Sequence, residues 1–127
     1  MNILLVDDSK TMRSIQKTAL MALGDVTFAE AGDGIEAQTV LNAAPIGAFQ
    51  LIIVDWNMPN MDGLTLVGCI REKDKHTPII MVTTETEKPR VMAAIERGVN
   101  NYVVKPFRPE MLVDKVRQTM ARMKKAA

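Results

Sequence analysis

A chain of 127 residues and 14.1 kDa, 47% hydrophobic and 24% charged, has the size and composition of one soluble globular domain, which excludes a disordered tail, a collagen-like repeat and a disulfide scaffold. Sixteen Lys and Arg against fifteen Asp and Glu leave a formal charge of +1, without the basic excess of a nucleic-acid binder. The single cysteine, Cys69, can form neither an intrachain disulfide nor a zinc site alone, and no apolar run approaches the roughly 20 residues that a bilayer requires.

The chain opens on a short apolar run, Ile3 to Val6, that ends at the acidic pair Asp7-Asp8. Without a basic region or a small-residue cleavage site this is no signal peptide, and the protein is expected to be cytoplasmic. Asp8 or Ser9 offers an N-cap for a first helix, with Met12, Ile15, Ala19, Leu20 and Leu23 on one face and Gly24 as its stop. Val26-Phe28 reads as a second strand. Asp33 suits the N-cap of a second helix, with Ala37, Val40, Leu41 and Ala44 along its face. Within Ala31-Gly32-Asp33-Gly34 the lysine and spacing of a Walker motif are missing, so this segment reads as a turn with a helix cap.

Leu51-Val54 is a third strand, apolar throughout, and ends at Asp55. The loop beyond it contains Pro59, Asn60, Asp62 and Gly63, all turn-formers. A third helix follows and contains Cys69, read as a small packing residue. His76 lies in the next loop and reads as a solvated residue. Ile79-Val82 is a fourth strand, ending at Thr83-Thr84. Val91, Ala94 and Ile95 mark a fourth helix closed by Gly98, and Tyr102-Val104 a fifth strand ending at Lys105. Pro109 suits the first turn of a last helix with Leu112, Val116, Met120 and Met123 along its face. From Arg108 onward, Arg108, Lys115, Arg117, Arg122, Lys124 and Lys125 outweigh Glu110 and Asp114 by a net +4. A solvated helix with cations near its C-terminus explains this, with docking to an acidic partner as the second reading. Of the ten methionines, Met12, Met92, Met120 and Met123 read as gap-fillers on helix faces, others as an adaptable outer surface.

Strands recurring at intervals of 23 to 28 residues and alternating with helices define an α/β fold with a parallel sheet covered on both faces. Five units are too few for an eight-stranded barrel. An open, doubly wound (βα)5 domain over residues 1–127 remains, with no linker or internal repeat. Ligands of such sheets bind beyond the C-terminal ends of the strands.

Four strands deliver Asp7, Asp8, Asp55, Thr83 and Lys105 to that edge. Converging carboxylates repel, and each raises the pKa of the others unless a cation sits among them. Magnesium fits, because it takes hard oxygen ligands and keeps several waters. Lys105 suits either a plain ion pair or a point-charge contact with phosphate. Asp55 stands on the most buried strand with open space ahead, where a carboxylate can act as a nucleophile and form an acyl phosphate. Metal, Lys105 and Thr83 would supply the charge neutralisation that phosphoryl transfer needs.

Four segments in order, Val6-Asp7-Asp8-Ser9, Asp55 to Leu64, Met81-Val82-Thr83 and Tyr102 to Phe107, resemble the receiver domain of two-component response regulators. The resemblance covers essentially the whole chain. It implies a five-stranded flavodoxin-like sheet of order 2-1-3-4-5. It makes Asp55 the phosphoacceptor and sets Asp7, Asp8, Asp55 and the Asn57 carbonyl around Mg2+, with Asp8 favoured as a direct ligand and Asp7 acting partly through water. Thr83 would hydrogen-bond the phosphoryl group and Lys105 one of its oxygens. Tyr102 matches the aromatic switch position, and Lys105-Pro106 is the expected cis peptide. Thr84 departs from the family's small residue at that place and could narrow the approach to Asp55. Trp56 is expected to be half exposed.

The function implied is a stand-alone, monomeric phosphorylation switch without an output domain. It would be phosphorylated by a histidine kinase of the chemotaxis type and open to a phosphatase. The target would be the flagellar motor switch, met by the fourth helix, fifth strand and last helix. Such a switch is no enzyme beyond assisting its own phosphorylation and dephosphorylation. The alternative is a phosphorelay intermediate or phosphate sink exchanging phosphate with a histidine phosphotransfer protein. A phosphatase of the aspartate-nucleophile type wants a second acid where Asn57 stands, and a transcription factor wants a DNA-binding domain.

Overall fold

The computed structural model describes residues 1–84 and 86–126. Five strands alternate with five helices: β1 Asn2–Val6, α1 Lys10–Leu20, β2 Thr27–Ala31, α2 Gly34–Asn42, β3 Leu51–Asp55, α3 Gly63–Lys73, β4 Ile79–Thr83, α4 Lys88–Arg97, β5 Asn101–Val104 and α5 Pro109–Ala126. All strand pairs are parallel, in the order β2-β1-β3-β4-β5, as the resemblance implies.

Side chains alternate across each strand, and this divides the core in two. Leu4, Val6, Ile52, Val54, Ile79 and Met81 face one side, where Ala37 of α2, Leu66 and Val67 of α3 and Ala94 of α4 cover them. Ile3, Leu5, Ile53, Ile80, Val82 and Val103 face the other, beneath Leu20 of α1 and Leu112 and Val116 of α5. Right-handed crossovers account for the division, because the chain reverses direction along the sheet after β2. β3 and β4 are buried at every residue, which is why both read as unbroken apolar runs.

Helix punctuation agrees with the residues. Ser9 Oγ accepts from the Met12 N–H at 3.1 Å, so Ser9 rather than Asp8 caps α1. Asp33 and Asp62 each accept from a first-turn N–H at 2.8 Å, of Glu36 and Thr65. A 3-10 turn over Met21–Leu23 continues α1, and Gly24, with φ of +101°, ends it.

The helical faces differ in detail. On α1 the buried stripe takes in Gln16, which is 1% exposed, while Ile15 is 43% exposed. Gln16, Ala19 and Leu20 are spaced i, i+3 and i+4, so Ile15 falls at the rim of the stripe, beside a groove against α5. Ile95 lies outside the buried pair Val91 and Ala94 for the same reason, and Met92 is exposed rather than a core gap-filler. Met120 does pack on the core. β2 begins one residue later than expected and runs on to Ala31, because this edge strand is only partly covered and lacks a continuous apolar run.

The far end of the sheet is tied by Arg71 of α3. Its guanidinium donates to the Gly98 carbonyl at 2.8 and 3.1 Å, to Asp74 O at 3.0 Å and to Asn100 Oδ1 at 3.0 Å. Asn100 Oδ1 also accepts from Ile79 N–H at 2.8 Å. Gly98 caps α4 with φ of +117°, and a Cβ there would meet Arg71 Nε at 2.7 Å. Gly98→Ala is therefore expected to destabilise the fold by about 1–2 kcal/mol, through left-handed backbone strain and displacement of Arg71. An unchanged midpoint in urea denaturation would count against this account.

Candidate functional site

Register brings the strand ends together. Val6 lies opposite Val54, Asp55 opposite Val82 and Thr83 opposite Val104, so β1, β3, β4 and β5 end level and bring their terminal polar groups to the same edge. The carboxylates of Asp7, Asp8 and Asp55 each offer an oxygen, all within 4.8 Å of one another. Asp7 and Asp55 are buried, at 1% and 5% exposure, and Asp8 is exposed at the mouth. Lys105 Nζ stands 3.2 Å from Asp55 Oδ1 and 3.6 Å from Asp7 Oδ2. Its main-chain N–H donates to Thr83 O at 2.7 Å, continuing the β4–β5 pairing past β5. Thr83 is buried, Thr84 is exposed, and the Lys105-Pro106 bond is cis.

The loop after β3 is folded back over the strand end. Gly63 N–H donates to Trp56 O at 2.8 Å, and a Cβ on Gly63 would lie 2.3 Å from the Asp55 carbonyl oxygen, so only glycine permits the approach. Asn60 adopts φ of +68°, tolerable for Asn, and its side chain donates to Asp33 Oδ2 at 2.9 Å. Asn57 is exposed at the start of this loop, and its main-chain N–H acts to lower the pKa of Asp55.

Burial raises the pKa of Asp7, opposed by the Ser9 N–H and by Lys105. Burial likewise raises Asp55, the charge of Asp7 adds to it, and Lys105 opposes it. Asp7 Oδ1 accepts from Ser9 N–H at 2.8 Å, but Asp7 Oδ2 is buried without a hydrogen-bond partner. A buried carboxylate oxygen that makes no hydrogen bond and has only the Lys105 ammonium at 3.6 Å, within a trio of acids, can be coordinated by a small hard cation. Asp7, Asp8 and Asp55 therefore fit a divalent ion, with the exposed Asn57 at the rim.

Trp56 is not half exposed. It is 5% exposed, its N–H continues the sheet to Val82 O at 3.1 Å, and the Arg90 guanidinium lies 5.3 Å from its ring centroid. Tyr102 is half-buried on β5 beside Lys115, whose ammonium lies 5.6 Å from the ring centroid. Met92 and Ile95 on α4 and Met111 on α5 are exposed. Cys69 is half-buried in α3, and His76 is exposed. Arg13, which donates to the Asp7 carbonyl, carries no signal in the strand-end pattern; its only trace is a basic residue on the helix that leaves the acidic pair.

The chain belongs to the response regulator receiver domain family, whose model matches residues 3–117. Its relatives place it among the CheY-like members. It is 42% identical over 125 residues to the chemotaxis protein CheY of Pseudomonas aeruginosa, covering 97% of this chain and 98% of the relative. It is 48% identical over 118 residues to CheY1 of Helicobacter pylori, covering 91% and 94%. The solved structure of the chemotaxis response regulator CheY4 of Vibrio cholerae superposes with a TM-score of 0.84 at 35% identity, covering 93% of this chain and 97% of that one. Among the described residues no helix is long and apolar enough to cross a membrane.

Proposed function

We propose that this receiver domain is a phosphorylation switch in which Asp55 accepts a phosphoryl group from a histidine kinase. The observation that carries the reading is the Lys105 ammonium, 3.2 Å from a buried Asp55 and 3.6 Å from Asp7 Oδ2, a buried oxygen that makes no hydrogen bond. An Asp55 carboxylate oxygen attacks phosphorus, the bond from phosphorus to the kinase histidine breaks, and the histidine nitrogen keeps the electron pair. Mg2+ held by Asp7, Asp8, Asp55 and the Asn57 carbonyl would supply positive charge to the transferring oxygens. Lys105 neutralises a further oxygen, and Thr83 donates its hydroxyl to another. Lys105 also opposes the burial and the Asp7 charge that raise the pKa of Asp55, and so favours the ionised form that a nucleophile needs.

Acting as a monomer, the phosphorylated domain would meet its target through α4, β5 and α5, where Met92, Ile95, Tyr102 and Met111 are accessible. The names of the relatives favour a chemotaxis role with the flagellar motor switch as target. A domain that does no more than accept and lose phosphate is a signalling switch rather than an enzyme, and a phosphatase could shorten its signal.

Incubation with acetyl phosphate and magnesium should add one phosphoryl group to the intact protein, and chelation should prevent it. Asp8→Ala should bind magnesium more weakly, read from the fluorescence of Trp56 next to Asp55; parental affinity would remove Asp8 from the ligand set. Tighter binding of the phosphorylated form to a phosphotransfer domain than to a motor switch protein would favour a relay or phosphate sink instead.

A further inference from the structure

Arg13 stands on the second turn of α1, six residues after Asp7, and its guanidinium joins two elements. One Nη donates to the main-chain carbonyl of Asp7. Nε donates to Glu30 Oε1 on β2 at 3.0 Å, and Lys17 Nζ holds Glu30 Oε2 at 3.0 Å. The Asp7 N–H donates to Ala31 O, the residue after Glu30, at 3.1 Å. The main chain of Asp7 is thus held at both ends, its N–H by β2 and its C=O by a side chain that is itself anchored on β2.

β1 has ended at Val6, so the sheet ladder does not orient the next peptide. The Asp7 carbonyl and the Asp8 N–H share one rigid plane. Fixing that carbonyl fixes the plane that carries the Asp8 Cα, and leaves rotation about the Asp8 N–Cα bond as the one backbone freedom that aims its side chain. A planar guanidinium suits the task, because its donors diverge at set angles and can serve a carbonyl and a carboxylate together. As a surface ion pair alone, Arg13 and Glu30 would contribute little to stability.

We infer that Arg13, bridging the Asp7 carbonyl and Glu30, is a positioning residue that aims the Asp7-Asp8 pair at one cation. This rests on the reading of Asp7 and Asp8 as magnesium ligands. Charge and geometry make opposite demands here. A guanidinium beside a cation site repels the cation, so removing it should tighten magnesium binding if charge alone mattered. If Arg13 positions the ligands, removing it weakens binding.

The test is a magnesium titration of the whole protein followed by Trp56 fluorescence, with amide resonances recorded in metal-free solution. Arg13→Met, which keeps most of the apolar stem, should bind magnesium roughly tenfold more weakly, the size of effect typical when a group that orients metal ligands is lost. Its Asp8 amide resonance should move while that of Thr65, at the cap of α3, stays. Arg13→Lys keeps the charge but lacks the fork, and should also bind more weakly than the parent. Magnesium binding by Arg13→Met as tight as the parent or tighter, parental affinity in Arg13→Lys, or an unmoved Asp8 amide would each overturn the inference. A parent that gives no response to magnesium speaks against the cation site itself; the metal-free Asp8 amide then still judges the bridge.

Discussion

Asp55→Asn is expected to take up no phosphoryl group from acetyl phosphate and, without metal at neutral pH, to unfold at a higher temperature than the parent. The first outcome follows from chemistry. An amide matches the carboxylate in shape, but its oxygen is a poor nucleophile and no acyl phosphate can form. The second follows from crowding. Asp55 and Asp7 are both buried, and each holds its proton more tightly in the folded chain than in the unfolded one. For a carboxyl whose folded pKa is raised, the folded state binds the extra proton in the window above the unfolded value of 3.8. Its stabilising contribution is therefore lost as pH rises through that window.

Elsewhere Glu30, Asp33 and Asp74 are shifted downward by their hydrogen-bond and ion-pair partners, and they act in the opposite sense. The difference between variant and parent isolates the site. Replacing Asp55 removes one of two buried like charges, and Lys105 keeps Asp7 as a partner at 3.6 Å. Thermal unfolding measured from pH 4 to 8 should show the variant gaining on the parent as pH rises. Stable phosphate at another residue of the variant would displace Asp55 from its role. A variant less stable than the parent at pH 7 would refute the crowding argument.

Thr83→Ala is expected to accept phosphate at Asp55, more slowly, yet to lose most of the gain in target affinity. Thr83 is buried at the end of β4, one residue past the partner of Asp55 in the register. A phosphoryl group on Asp55 would draw the hydroxyl towards its oxygens and vacate space behind it. Tyr102 pairs with Met81, two residues before Thr83, and is only half-buried, so an inward turn into the vacated space would bury it further. That turn would reshape the surface between α4 and α5. Phosphorylation can bias the two states only by interacting differently with each, and the Thr83 hydrogen bond supplies the difference. One charge-assisted hydrogen bond contributes roughly 1.5–3 kcal/mol, a shift of about tenfold to hundredfold. Phosphorylated Thr83→Ala that binds its target as tightly as the phosphorylated parent would sink the scheme.

The groups at the strand ends were readable in the sequence for a physical reason. A strand covered on both faces must be apolar throughout, so its first polar residue marks where the sheet meets solvent. Asp7, Asp55 and Thr83 follow the apolar runs of such strands, and Lys105 follows the two valines of the edge strand β5. β2 was less legible because an edge strand can alternate Phe28 and Glu30 with alanines. The exchange of Ile15 for Gln16 on the buried stripe of α1 depends on how the helix is rotated against α5, which local spacing does not encode. Trp56 is buried because it packs into the core on the α2–α4 side of the sheet, with the guanidinium of Arg90, 34 residues away in the chain, over its ring; neither contact follows from its place next to Asp55. Long side chains that reach across elements, such as Arg13 and Arg71, leave no periodic trace.

The cluster draws its groups from the ends of four strands that are far apart in the chain, and the last of them, Lys105, emerges late in synthesis. An unfinished or misregistered chain holds all the acids but not their arrangement. Slipping β5 by one residue would point its alternating side chains to the wrong face and withdraw the ammonium. The site thus behaves as a logical AND over the whole sheet. Under the proposed function, a molecule able to take up phosphate at Asp55 would already have its whole sheet in register.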